Sequence, residues 1–147
     1  MTDELGGPYL SVAVLCEKVL QEKDGVASVI RIVDRFILTA SGPAPPEKMP
    51  PTTITTTAFL SFKSGFAKGS HTVKLVPKDP SGRSAGPEAL LPVFFEGEDR
   101  GANIIVNVNF RVQEDGLYWF EVLLGERLMT RIPLRVVYQR MSLGTQS

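Results

Sequence analysis

The sequence predicts an all-β protein: an antiparallel β-sandwich of about eight strands, with at most one short helix near residues 17–23. Two observations carry that expectation. Apolar and polar residues alternate at period two through most of the chain beyond about residue 52. Clusters of Gly, Pro, Ser and Asp punctuate the alternation about every 8 to 15 residues, the spacing of short strands joined by turns. Half-buried strands of this kind need a second sheet to cover their apolar faces, which a sandwich supplies; a small barrel is the alternative closure. A chain of 147 residues suits a single domain that buries roughly 70% of its unfolded surface.

From the N-terminus, "YLSVAVLC" sets Leu10, Val12, Val14 and Cys16 on one face of a first strand. In "LCEKVLQEKDG", Leu15, Cys16, Val19 and Leu20 then follow helical spacing among strong helix formers, with Asp24 and Gly25 as a stop. One or two helical turns are expected there, leading into a second strand, "VASVIRIVDRFILTA". Its inward residues on this reading are Val26, Ile30, Ile32, Phe36 and Leu38. The proline-rich "SGPAPPEKMPP" (41–51) reads as a crossover in ordered coil or as a flexible loop.

The later strands alternate more cleanly. "TTITTTAFLSF" turns Ile54, Ala58, Leu60 and Phe62 inward, and "SHTVKLVPK" does the same for His71, Val73 and Leu75. In "ANIIVNVNFRV", Ala102, Ile104, Val106, Val108, Phe110 and Val112 oppose Asn103, Asn107, Asn109 and Arg111. A helix would scatter these residues around its circumference, so strand is the only fit. "LYWFEVLLGERLMTRIPLRVVY" reads as two strands joined at Gly125 and Glu126, with Tyr118, Phe120 and Val122 inward on the first. Leu128, Ile132, Leu134 and Val136 point inward on the second. Pro92 and Pro133 cannot donate to a central ladder and belong at edges or bulges. "KDPSGRSAGPE" (78–88) is turn chemistry throughout, and no internal repeat is present. The expected organisation is a tail over 1–8, one domain over 9–138 and a tail over 139–147.

Composition narrows the function. Sixteen basic residues balance sixteen acidic ones, so no overall field recruits nucleic acid or anionic membrane. One cysteine rules out an internal disulfide and fits a reducing compartment. The first residues lack the basic region of a signal peptide, and no apolar run approaches the ~20 residues of a membrane helix. A soluble, cytoplasmic protein is expected.

Each chemically suggestive residue has a plain structural alternative. Cys16 shares the parity of core residues, where a cysteine is an inert small apolar group; a nucleophile would need His71, on another strand, as its base. One histidine and one cysteine cannot supply a zinc site. Glu96, Glu98 and Asp99, with Asp79, carry too few carboxylates for a calcium site and read as solvated turns. The face Asn103, Asn107, Asn109 and Arg111 is rich in donors and acceptors that suit a partner protein or a sugar, or plain solvent. Trp119 falls on the outward parity with Leu117, Glu121 and Leu123, as the floor of a second apolar layer or as a contact patch. Arg31, Arg35, Arg127, Arg131 and Arg135 form a basic patch with Arg111 only if their strands are neighbours. No phosphate loop, nucleophile elbow or nucleic-acid module occurs.

The run "LSVAVLCEKVLQEKDGVASVIRIVDRF", the middle "HTVKLVPKDPSGR" and the ending "EDGLYWFEVLLGERLMTRIPLRVV" resemble, in that order, parts of an uncharacterised bacterial family, a domain of unknown function. Its members open with an apolar strand, a small or Cys residue with acids, a "DG" or "GG" turn, and a second apolar strand. The likeness spans about residues 9–138 and rests on strand-and-turn signatures. It implies a β-sandwich in a bacterial protein and carries no active-site residue or cofactor.

The expected function is a non-enzymatic module that offers a sheet face or edge strand to a protein partner or to a second copy of itself. The candidate surface comprises Trp119, Leu117 and Leu123 with Asn103, Asn107, Asn109 and Arg111. The alternative is a small-ligand or carbohydrate-binding sandwich using loops 41–51, 78–88 and 96–101. An enzyme built on Cys16 and His71 ranks third.

Overall fold

The computed structural model describes residues 6–142, which contain no helix. Nine strands follow one another: β1 (Tyr9–Gln21), β2 (Ala27–Ile32), β3 (Arg35–Gly42), β4 (Thr52–Lys63), β5 (Lys68–Lys78), β6 (Ala89–Glu96), β7 (Gly101–Val112), β8 (Gly116–Leu124) and β9 (Arg127–Ser142). They form a four-stranded sheet, β2-β1-β4-β7, and a five-stranded sheet, β3-β9-β8-β5-β6. Neighbours are antiparallel except β3 and β9, which run parallel from Arg35 beside Arg135 to Gly42 beside Ser142.

This is the connectivity of an immunoglobulin-type sandwich, with β1, β4 and β7 in one sheet and β5, β6, β8 and β9 in the other. A tyrosine corner accompanies it. Tyr118, near the start of β8, donates its hydroxyl to the Glu114 carbonyl at 2.7 Å and ties down the turn from β7.

The clean alternation of the central strands becomes the core. Ala58, Leu60 and Phe62 of β4 and Val108, Phe110 and Val112 of β7 are buried from one sheet. From the other come Val73, Leu75, Phe95, Tyr118, Phe120, Val122, Ile132, Leu134 and Val136. Aromatic rings interlock between the layers: Phe110 meets Phe120 edge-on at 4.9 Å, and Phe62 meets Phe95 at 5.9 Å.

The first third departs from simple alternation, and each departure has a local cause. No helix forms over 17–23: β1 continues through Gln21, because Lys18, Val19 and Leu20 pair with Ile30, Val29 and Ser28 of β2. The DG segment becomes the hairpin turn, in which Gly25 donates to the Glu22 carbonyl and Asp24 caps the Val26 amide. A bulge between Leu10 and Val12 flips the parity of β1. Leu10, Ala13 and Leu15 therefore face the core, while Val12 is 38% exposed on the opposite side.

The single second strand expected from "VASVIRIVDRFILTA" is two strands in different sheets. The chain crosses at Val33 and Asp34, where the Val33 amide donates to Leu15 of β1 and the Asp34 carbonyl accepts from Arg135 of β9. Phe36 and Leu38 pack on the core, but Ile32 and Val26 are exposed. A bulge at Met129 of β9, opposite Val122 and Leu123 of β8, likewise turns Leu128 outward and sends Met129 to the core instead.

Both prolines fit their expected settings. The Thr72 carbonyl accepts from Gly125, so at that level β5 directs its polar groups at β8; Pro92, opposite Thr72 on edge strand β6, turns its missing donor outward. Pro133 lies on β9 just before β3 begins to pair with it at Arg135. The proline-rich crossover is tied down rather than loose: Tyr138 donates to Pro46 at 2.6 Å, Arg140 to Pro45, and Met49 is buried. At the chain ends, Gly6 accepts from the Phe66 amide and β9 continues to Ser142, past residue 138 where the domain was expected to end. The rest of the two expected tails lies outside the described residues.

Candidate interaction surfaces

The seven residues singled out from the sequence lie on opposite faces of the sandwich. Leu117, Trp119 and Leu123 lie on the outer face of the five-stranded sheet; Asn103, Asn107, Asn109 and Arg111 lie on that of the four-stranded sheet.

Trp119 is half-buried, opposite Lys78 and Pro133, and the Arg131 guanidinium carbon stands 4.9 Å from its ring centroid. One aromatic face is thus already occupied by a cation. The condition for a basic patch is met in part. Arg35 and Arg135 are direct neighbours because β3 and β9 pair, and Arg131 shares the outer face of β9. Arg31 belongs to the other sheet, ion-paired to Glu17 at 2.9 Å, and Arg111 is also there.

The asparagines have partners within their own sheet. Thr55 donates to Asn109 at 2.6 Å, Thr57 to Asn107 at 3.3 Å and Ser61 to Asn103 at 2.7 Å. These hydroxyl–amide rungs explain the threonine-rich β4 beside the asparagine-rich β7. They also use only the amide oxygens, so the amide N–H groups are left without a partner among the described residues. One apolar row interrupts the ladder: Val14, Phe59 and Ile105 lie side by side across β1, β4 and β7. Phe59 is almost fully covered there, whereas Ile105 at the rim is 39% exposed.

The backbone of β7 supplies what side-chain parity could not reveal. The Arg111 N–H donates to Ala85 at 2.7 Å, so it points away from β4. The pairing with β4 is unbroken from Gly101 to Val112, so Asn109, Asn107, Ile105 and Asn103 direct their N–H and C=O groups the same way. The 78–88 loop covers the far end, with Gly86 against the Asn109 carbonyl. Among the described residues, the stretch from Ala102 to Val108 has no backbone partner along that edge.

The other edge strands are blunted. β2 has six residues and a kink at Arg31, whose φ is 58°. β3 is flanked by Met49–Thr52, which share a cavity of about 360 Å³ with Ile37–Ala40. β6 carries Pro92. Such devices keep sheet edges from pairing with other chains, and the open half of β7 has none of them.

The ligand-binding alternative is half assembled. Loops 41–51 and 78–88 converge at one end, joined through Gln113 and Glu114; loop 96–101 lies at the other end, bonded to Ser64 and Gly65. A cavity of about 500 Å³ opens between Asp79, Arg83, Arg111, Gln113, Glu114 and Tyr118. Burial works against the Asp79 charge. The Ser81 hydroxyl, the Arg83 and Ser81 amides and the Arg83 charge outweigh it and hold the carboxyl below its ordinary value. Asp79 is thereby committed to its own turn, and the lining is polar where small-molecule sites are mostly apolar.

Cys16 and His71 are not brought together. Cys16 lies in β1, fully buried between Ile32 and Thr57. Burial pushes its thiol up, only partly offset by the Lys18 backbone. His71 lies in β5 of the other sheet, 5.0 Å from Phe95, with Nδ1 3.3 Å from the Gly69 carbonyl oxygen. A thiol reagent is accordingly expected to label Cys16 only after unfolding, with labelling by a chromogenic disulfide tracking denaturant loss of structure. Fast labelling of the native protein would restore Cys16 as a nucleophile candidate. Among the described residues, no group of three or more His, Cys, Asp or Glu could hold a metal ion, and no helix is long and apolar enough to cross a membrane.

Fold and surface together define an immunoglobulin-type β-sandwich with one open, amide-lined edge. The chain belongs to a family of unknown function (DUF6941), whose model matches residues 11–137. No curated protein matches it. Among solved structures, it is similar to β-glucosidase 3B from Thermotoga neapolitana at 14% identity and a TM-score of 0.45, over 62% of this chain and 16% of that one. The alkylpurine DNA glycosylase AlkC of Pseudomonas fluorescens, solved bound to DNA with an abasic-site analogue, matches at 10% identity and TM-score 0.44, over 70% of this chain and 27% of that one. An immunoglobulin-like protein from Pseudomonas aeruginosa matches at 12% identity and TM-score 0.41, over 90% of this chain and 98% of that one. The chain thus spans well under a third of the first two, and likenesses this loose lend it no activity.

Proposed function

We propose that this chain is a non-enzymatic interaction module that receives a partner β-strand along the open half of β7. The observation that carries the reading is the outward run of unpaired backbone groups at Asn103, Ile105 and Asn107, on a long strand without proline. Strand addition takes its affinity from such main-chain groups and its specificity from the alternating side chains beside them. Four of the seven candidate residues, Asn103, Asn107, Asn109 and Arg111, lie on this strand. The lone cysteine and the family resemblance support a bacterial, cytoplasmic setting.

The test compares three baits in extract of the native host: wild type, Ile105→Pro and Trp119→Ala. Because the Ile105 N–H points away from β4, proline there removes an edge donor without breaking a ladder bond. A partner retained by wild type and Trp119→Ala but lost by Ile105→Pro supports the edge. Loss on Trp119→Ala alone moves the surface to the opposite sheet, equal retention by all three overturns the edge reading, and a wild type that retains nothing overturns the interaction reading. The polar loop cavity is the second reading; it stands on the convergence of loops 41–51 and 78–88.

A further inference from the structure

Resting on that reading, we infer that the strand received by β7 is β7 of a second copy, paired antiparallel about a two-fold axis at Ile105. The argument is one of self-complementarity. Reading outward from Ile105, the sequence is nearly the same in both directions: Ile104 and Val106, then Asn103 and Asn107, then Ala102 and Val108. An antiparallel pair centred on Ile105 sets Asn103 opposite the second copy's Asn107, Ile104 opposite its Val106 and Ala102 opposite its Val108. Every facing pair matches in polarity.

The backbone permits this register. Asn103, Ile105 and Asn107 are the residues whose N–H and C=O groups point outward. In the proposed register they face one another, so each pair exchanges two main-chain hydrogen bonds. A slip by one residue would set outward-pointing groups against groups already bonded to β4, and would bring the wrong face of the partner sheet forward.

The side chains agree on both faces. On the outer face, the row Val14–Phe59–Ile105 ends at the rim, and the axis continues it into the same row of the second copy. The exposed Ile105 then packs on its own counterpart. On either side, the ladder Thr57–Asn107 extends into Asn103–Ser61 of the second copy, where amide N–H groups that the rungs do not use meet amide oxygens. On the inner face, Ala102, Ile104 and Val106 are only partly buried at the edge, and the partner's inner residues add to their cover. The 78–88 loop at Asn109 stops the pairing at Val108 opposite Ala102. The product is one continuous eight-stranded sheet, four strands from each copy.

Sedimentation equilibrium tests association, and disulfide trapping tests the register. Wild type loaded up to about 500 μM, where a Kd of about 0.1 mM still populates dimer, is expected to sediment as a monomer–dimer equilibrium. Ile105→Lys sets two ammonium groups face to face on the axis, and Ile105→Pro removes the central donors; both are expected to sediment as monomers. In the facing pair, the Cα atoms of residue 105 stand about 5.5 Å apart, within disulfide range, so Ile105→Cys is expected to cross-link to itself under mild oxidation. Asn109→Cys, displaced along the strand from its own counterpart, is expected not to, and the buried Cys16 takes no part.

A monomeric wild type overturns the self-pairing, as does a dimer that survives Ile105→Lys or cross-links equally well through Asn109→Cys. These outcomes are separable from failure of the edge reading. A monomer whose extract partner is lost on Ile105→Pro keeps the edge and rejects the second copy, whereas indifference to that substitution in both experiments rejects the edge itself.

Discussion

Phe120→Ala is expected to destabilise the domain by about 3–5 kcal/mol, enough to lower its melting temperature by roughly 10–20 °C. Phe120 is fully buried on β8, between Pro77 of β5 and Ile132 of β9. Its ring meets Phe110 of the opposite sheet edge-on, 4.9 Å between centroids. Truncation removes both the transfer of a large apolar group from water and the contact that locks the layers, and β-sheets on both sides limit collapse into the void. Phe94, 63% exposed on the outer face of β6, provides the contrast: Phe94→Ala is expected to change stability by no more than about 0.5 kcal/mol. Urea unfolding followed by fluorescence decides it. A Phe120→Ala midpoint no lower than that of Phe94→Ala would mean that the two sheets are not packed through this ring.

Gly65→Ala is the second large effect, at about 2–4 kcal/mol, and its cause is backbone rather than core. Gly65 has a φ of +59°, and a Cβ there would drive into the Gly6 carbonyl and come within 2.9 Å of the Gly7 Cα. Neither obstacle is a side chain that can rotate away. The same corner is held by the Phe66 amide on Gly6, the Asp99 amide on Gly65 and the Ser64 amide on Arg100, so relief of the clash disturbs three segments at once. Thermal unfolding and amide exchange at Phe66 and Asp99 report it together. An unchanged melting temperature would contradict the close approach of the N-terminal segment to this turn.

How far the fold could be read from the sequence varies along the chain for physical reasons. β4, β7 and β8 were legible because each is long, pairs without a break over most of its length, and keeps one face in the core. β1 was not: the bulge beside Ser11 shifts the parity by one, so counting from Leu10 assigns Val12 to the core and leaves Leu15 out. The helical spacing of Leu15, Val19 and Leu20 was a genuine local preference, overridden by pairing with β2, which no local window contains. Val33 carries no turn signature, although it is where the chain changes sheets.

The candidate site was legible in the same partial way. Alternating asparagines identified β7 as unusual, and their outward direction was readable from parity. That they bond to Thr55, Thr57 and Ser61 depended on β4 being the neighbour. That the N–H groups of Asn103, Ile105 and Asn107 are open depended on a contact between Arg111 and Ala85, and on three other edges being blunted. Strand order decides such matters, and strand order is not local information.

The parallel pairing of β3 with β9 has a consequence for how the protein is made. Synthesis of β3 is complete at residue 42, but the strand it pairs with ends at residue 142. The 100 residues between 42 and 142 take about 5–20 s to synthesise at ordinary elongation rates. During that interval the four-stranded sheet can complete itself, since its last member ends at Val112, while Phe36 and Leu38 wait for a hydrogen-bonded place in their own sheet. A nascent chain whose first 112 residues have left the ribosome therefore holds the four-stranded sheet, the β5–β6 hairpin of the other sheet, and β3 without the strand it pairs with, the species that a cellular chaperone would meet before β8 and β9 emerge.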